Sequence, residues 1–204
     1  MEGVIIAGGY STRFGDRDKA VAALAGTPMI RRVADRLAAV VDALVVNCRS
    51  DQVEAIDDAL TGYDRPFEFA EDPEPDEGPV AGIRTGLRAV ESEYAAVVAC
   101  DMPFVDPTFL EYLRQRAAGH DAAVPQLDDE WYQTTQAVYR AQAMADACET
   151  ALERGDRKVI APLFELEYVV VGDAEIREHT DVKTFENINT QEELTAAARE
   201  LDAR

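Results

Sequence analysis

The sequence predicts a three-layer α/β/α fold with a mostly parallel central sheet. Three observations carry this. Continuous apolar runs alternate with amphipathic segments through the first half of the chain. Glycine and proline punctuate nearly every junction. Polar residues with chemistry fall just after the apolar runs, where ligands bind in open α/β sheets.

Gly3–Ala7 is an apolar run entering Gly8-Gly9, a buried strand followed by a glycine turn. Ala20–Leu24 is short and apolar, and Gly26-Thr27-Pro28 interrupts it, with Thr27 expected as an N-cap and Pro28 at the first helical position. Met29, Ile30, Val33, Leu37 and Val40 then recur at helical spacing. Ala43–Cys48 reads as a strand, Asp51–Leu60 as a helix and Phe67–Ala70 as a strand. After the acidic loop Glu71–Glu77, Gly78-Pro79 opens a helix with Val80, Ile83, Leu87 and Val90 on one face. Tyr94–Cys100 is a further strand, and Asp106 or Pro107 starts a helix through Arg116. The second half is less regular. Strands are expected at Ala122–Pro125, Gln133–Tyr139 and Tyr168–Val171, and helices at Ala141–Glu153 and Lys158–Phe164. Thr190-Gln191-Glu192-Glu193 is a capping-box pattern opening a last helix to Leu201. With no repeat, low-complexity tract or linker, the 204 residues read as one domain.

Composition excludes several functions. The net charge of −20 opposes bulk attraction to nucleic acid or to an anionic membrane. Tyr94–Cys100, the longest wholly apolar run, is far shorter than the roughly 20 residues needed to span a bilayer. The opening Met-Glu-Gly-Val-Ile-Ile lacks the basic start of a secretory signal, so a cytoplasmic location is expected. Cys48, Cys100 and Cys148 are odd in number and widely spaced, which argues against disulfides or a cysteine zinc site. His120 and His179 are isolated, and Cys100 reads as core rather than nucleophile. The bases comprise 17 arginines but only Lys19, Lys158 and Lys183. Many acids with few lysines suit a halophilic protein, whose acidic surface needs salt to screen its self-repulsion.

Against this acidity, Arg13, Arg17 and Lys19 put three bases within one seven-residue stretch after the glycine turn. Glycines let backbone approach a ligand closely, and successive amides can point at phosphate oxygens. The spacing of Gly8, Gly9 and Gly15 fits neither the dinucleotide fingerprint nor the P-loop. Asp101 follows the most apolar strand, where a carboxylate can hold Mg²⁺ beside phosphates, the alternative being a helix-capping Asp before a proline turn. Asp72 follows another strand, in a loop whose other acids read as solvated. Asn47 ends a strand, where a turn-forming role is the alternative. Asn187 and Asn189 flank Ile188, and both would face one side of a strand. Trp131 and Tyr132 sit in a polar loop, either bordering an acceptor pocket or simply exposed.

Ala7-Gly8-Gly9-Tyr10-Ser11-Thr12-Arg13-Phe14-Gly15, followed by Lys19, resembles the signature of sugar-nucleotide-type nucleotidyltransferases. With Val45-Val46-Asn47, Gly78-Pro79-Val80-Ala81-Gly82, Cys100-Asp101-Met102-Pro103 and Asn187-Ile188-Asn189-Thr190, the chain resembles the molybdenum cofactor guanylyltransferase family over nearly its whole length. Ala7-Gly8-Gly9 is similar to the guanine-using branch.

The resemblance implies a Rossmann-like nucleotidyltransferase fold, with residues 1–115 as the nucleotide-binding half and 116–204 on the acceptor side. It also implies GMP transfer from GTP to molybdopterin cofactor. Ile6, Ala7, Gly8, Gly9 and Lys19 would hold the nucleotide, with Asn47 and Asp72 near base and ribose. Asp101 would bind Mg²⁺, with Asn187 and Asn189 near the metal or phosphates. Arg13, Lys19 and Asp101 would carry catalysis. Transient contact with proteins that deliver or receive the cofactor is implied as well.

Two departures stand out. Gln133–Arg140 lacks a proline common in the family, and Phe14 replaces a common methionine. Two alternatives remain open: a guanylyltransferase for another phosphorylated acceptor such as adenosylcobinamide phosphate, or a non-catalytic nucleotide-binding protein. The acidic composition generates a prediction of its own: the thermal midpoint rises between dilute and molar salt, and a flat calorimetric response would refute the halophilic reading.

Overall fold

The computed structural model describes residues 1–9, 14, 18–74, 77–128 and 131–202. Besides a small hairpin, β2 Ala23–Leu24 with β3 Thr27–Pro28, seven strands form the central sheet. They are β1 Glu2–Ile6, β4 Leu44–Cys48, β5 Phe67–Glu71, β6 Tyr94–Ala99, β7 Ala122–Gln126, β8 Gln136–Arg140 and β9 Tyr168–Gly172. Their spatial order is β5-β4-β1-β6-β8-β7-β9. β1, β4, β5 and β6 run parallel, and β9 runs parallel to β7. β8 is antiparallel to both β6 and β7, so it is the reversed strand of the sheet. The mostly parallel expectation holds.

Strand alternation divides the core into two faces. Ile5, Val46 and Val98 face one way, against α1 Met29–Leu37, α2 Val53–Leu60 and α4 Pro107–Arg116. Val4, Val45 and Val97 face the other, against α3 Pro79–Ala89 and α5 Ala141–Glu153. Because both faces are covered, the central strands read as unbroken apolar runs. The short α6 Ile160–Leu163 joins the second face. A third, smaller cluster gathers Phe14, Leu24, Met29 and Ile188 against Ala197 of α8 Gln191–Asp202.

Thr27 is not the N-cap of α1. It pairs with Leu24 in the antiparallel hairpin, and the helix starts at Met29. The first helical amides find backbone partners instead: Met29 N–H donates to Ala22 O at 3.0 Å and Ile30 N–H to Ala20 O at 2.9 Å. Backbone acceptors thus take the place of a side-chain cap. Nor do Asn187 and Asn189 lie on a strand; the 3₁₀ turn Val182–Phe185 leads into irregular backbone. α7, Asp173–His179, leaves no helical stripe in the sequence because Ile176 is its one buried residue.

Two caps behave as their sequences foretold. The Asp106 side chain accepts from Thr108 N–H at 2.8 Å, with Pro107 opening α4. Thr190 Oγ1 accepts from Glu193 N–H at 3.1 Å, and Glu193 Oε2 accepts from Thr190 N–H at 3.0 Å and Asn189 N–H at 2.6 Å. Thr190→Ala should therefore cost about 1 kcal/mol and lower the thermal midpoint by about 2–4 °C at constant salt. An unchanged melting curve would show that this cap contributes nothing.

Candidate functional site

The chain moves outward from β1 to β4 and β5, then returns to place β6 on the other side of β1. That reversal opens a crevice at the carboxyl ends of the strands. Backbone bonds carry the ladders past the strand ends: Ala7 N–H to Asn47 O at 2.8 Å, Asp72 N–H to Cys48 O at 2.9 Å, and Cys100 N–H to Ile6 O at 3.1 Å. These strand ends are thereby held around one cleft of about 240 Å³. Ile6, Ala7, Gly8, Gly9, Lys19, Asn47, Asp72 and Asp101 all line it.

Asn47 is fully buried rather than a turn former. Its Nδ2 donates to Ala70 O at 3.1 Å and Asp72 Oδ1 at 2.7 Å. Its Oδ1 is buried with no hydrogen-bond partner among the described residues. A Cβ at Gly82, on α3, would lie 2.5 Å from that oxygen, and a Cβ at Gly8 would overlap the Asp72 carboxylate. These two glycines let α3 and the first turn approach the amide and the acid closely. Burial raises the Asp72 pKa, opposed by hydrogen bonds from Asn47 and Thr85 and by the charges of Arg84 and Arg49.

Across the cleft, Lys19 Nζ donates to Asp101 Oδ2 at 2.5 Å and to Asn189 Oδ1 at 3.1 Å. Asp101 Oδ1 is buried without a partner among the described residues, a carboxylate oxygen suited to a cation. No cluster of three or more metal-ligating side chains occurs among the described residues, so a metal would take Asp101 plus oxygens from substrate or water. Asn189 reaches Lys19, but both Asn187 and Asn189 are exposed and neither lines the cleft. Arg13 lies outside the described residues.

Glu74, Glu77 and Thr135 also line the cleft. In the sequence the glutamates read as solvated loop acids, and Thr135 carries no signal. The fold brings Thr135 beside Ala99 through the Ala99 N–H to Thr135 O bond at 3.0 Å. Trp131 is exposed, while Tyr132 packs edge-on against Phe164 and Tyr168. Cys100 lines the cleft but is buried, and burial beside Asp101 pushes its thiol up.

A glycine turn at a strand end, a helix N-terminus beyond it and a lysine–aspartate pair across the crevice define a nucleotidyltransferase-type enzyme. Residues 3–169 match the MobA-like NTP transferase domain family. The chain is 53% identical over 199 residues to a probable molybdenum cofactor guanylyltransferase of Natronomonas pharaonis, covering 98% of this chain and 97% of that one. It is 39% identical to another from Haloferax mediterranei, covering 95% and 91%. The crystal structure of molybdopterin-guanine dinucleotide biosynthesis protein A from Archaeoglobus fulgidus superposes with a TM-score of 0.80 at 29% identity, covering 100% of both chains. The chain belongs to the molybdenum cofactor guanylyltransferase family. No described helix is long and apolar enough to cross a membrane.

The thiols generate a test of the site's chemistry. Burial pushes Cys48 and Cys148 up to about 12 and Cys100 higher still than its ordinary value. At about pH 8 all three should resist thiol reagents in the native protein and react after denaturation. Rapid native labelling of Cys100 would return it to consideration as a nucleophile.

Proposed function

We propose that this enzyme transfers GMP from GTP to the terminal phosphate of molybdopterin cofactor. A phosphate oxygen of the acceptor forms the new bond to the α-phosphorus, the bond to the β-phosphate oxygen breaks, and pyrophosphate leaves. The observation that carries the reading is the Lys19–Asp101 pair facing the Gly8-Gly9 turn at the strand ends. The family relationship supports it, and the unpartnered Asn47 Oδ1 offers an acceptor to a base with ring and exocyclic N–H donors, as guanine has.

The cleft's electrostatics also favour a cation. Among its described lining residues, Asp72, Glu74, Glu77 and Asp101 stand against Lys19. With four carboxylates against one ammonium among those described residues, a triphosphate gains from a further cation. Mg²⁺ at Asp101 would supply the remaining positive charge on the phosphates. Lys19 then moves its hydrogen bonds from Asp101 to phosphate oxygens and stabilises charge building there. The amides of the glycine turn orient the nucleotide. The acceptor phosphate has a second pKa of about 6 and is largely ionised at neutral pH, so no side chain need remove a proton. Acceptor and product are both cofactors passed between proteins, which fits transient contact with delivering or receiving partners.

The decisive assay is pyrophosphate release from GTP, compared with CTP and ATP, with molybdopterin cofactor and Mg²⁺ in molar salt. Release with GTP alone is expected; equal release with cobinamide phosphate as acceptor would overturn the acceptor assignment. Lys19→Ala should lower turnover by about 10²-fold or more. Asp101→Asn should abolish the Mg²⁺-dependent reaction with the circular dichroism spectrum unchanged, and full activity in either variant would remove that residue from the mechanism.

A further inference from the structure

The turn after β4 has no assigned part in binding, yet it holds the glycine turn. Arg49 Nη1 donates to Gly8 O at 3.0 Å and Gly9 O at 3.2 Å, while Arg49 Nε donates to Asp51 Oδ1 at 3.0 Å. Gln52, three residues on, is 2% exposed. Its Nε2 donates to Ala7 O at 3.0 Å and to Asp18 Oδ2 at 2.5 Å, and its Oε1 accepts from Arg49 N–H at 2.9 Å. The other Asp18 oxygen accepts from Ala20 N–H at 2.9 Å.

This amide orientation is the one that satisfies every partner. Reversed, the amide nitrogen would face the Arg49 N–H, and the amide oxygen would face two acceptors. One buried side chain therefore bridges Ala7, where the glycine-rich segment begins, and Asp18, where it ends. Asp18 in turn fixes Ala20, and Lys19 lies between them.

We infer that Gln52 is a positioning residue for nucleotidyl transfer: it closes the segment from Ala7 to Asp18 and sets Lys19 against Asp101. The inference rests on the transferase reading above. It acts through geometry, because a misplacement of about 1 Å can cost up to about 10²-fold in rate. An apolar side chain of similar length would fill the same volume but could not span the two ends.

Gln52→Glu preserves the shape, gives up the bond to Ala7 O and makes the bond to Asp18 depend on a proton. Protonated, the introduced carboxyl has one O–H, which donates to Asp18 while its other oxygen accepts from Arg49 N–H; the bond to Ala7 O is lost at every pH. Ionised, it sets two carboxylates against each other. The ionisable groups around it among the described residues are Asp18 at the end of the loop, Arg49 and Asp51 on its own turn, and Cys48 on β4, whose thiol stays neutral. Burial and Asp18 both hold the proton on, so the Asp18 bond is kept at low pH and lost as pH rises.

The measurement is kcat and KM for GTP of the variant relative to wild type across pH, well below each thermal midpoint. The kcat ratio is expected to be highest at about pH 5.5, where the Asp18 bond survives, and to fall severalfold by about pH 8, with KM changing less than about threefold. Gln52→Met, which fills the volume without donors, should lose about tenfold in kcat at every pH. A flat ratio for Gln52→Glu, or Gln52→Met within about twofold of wild type, overturns the inference while the wild-type reaction stands. Absence of GTP-dependent pyrophosphate release from the wild type overturns the transferase reading instead.

Discussion

A lysine and an aspartate held in contact where the protein is otherwise acidic is the constraint on which this structure turns. Lys19 and Asp101 are 82 residues apart and both largely shielded from water. Desolvating two charges is costly, and the pair is favourable only if its geometry is held and its remaining bonds are supplied. The parallel pairing of β1 with β6 supplies the approach, since it sets Ile6 opposite Ala99 just before the two loops diverge. Asn189 supplies a further acceptor for the ammonium.

The periphery of the fold serves that contact. Ile188 N–H donates to Asp101 O at 2.9 Å, Gln191 Nε2 donates to Phe14 O at 3.2 Å, and Glu193 holds the Asn189 amide. Phe14, in the middle of the glycine-rich segment, is buried in the small apolar cluster under α8. The exchange of a common methionine for Phe14 therefore falls at an anchor and keeps its apolar character. Gln191 at the start of α8 and Ile188 just before it thus tie Phe14 and Asp101 to the C-terminal segment. Its capping box is part of the same arrangement, because the carboxylate that caps the helix also fixes the residue that reaches Lys19.

Much of this was legible in the chain itself. Strands buried on both faces are mostly apolar, so β1, β4 and β6 stood out as runs, and α1 and α3 stood out by their stripes. The glycine turn and Lys19 stood out because clustered bases are conspicuous in a chain of −20, and Asp101 because it follows the most apolar strand. The β2–β3 hairpin did not, because its Pro28 looks like a helix start and two-residue strands have no measurable alternation. The reversal of β8 did not either, since strand direction leaves no trace in an apolar pattern.

Asn47, Gln52 and Thr135 show where reading a chain stops. Each is a polar residue in or beside a strand or turn, and alone each is as well explained by a local hydrogen bond as by a ligand. The linear order of residues was enough to establish the layered architecture, the acidic surface and the family of chemistry, because hydrophobic periodicity, net charge and contiguous motifs are properties of neighbours along the chain. Which amide is buried with an unpartnered oxygen, which carboxylate meets the lysine and which side chain bridges the loop are relations between segments brought together by the sheet, and only the folded arrangement decides them.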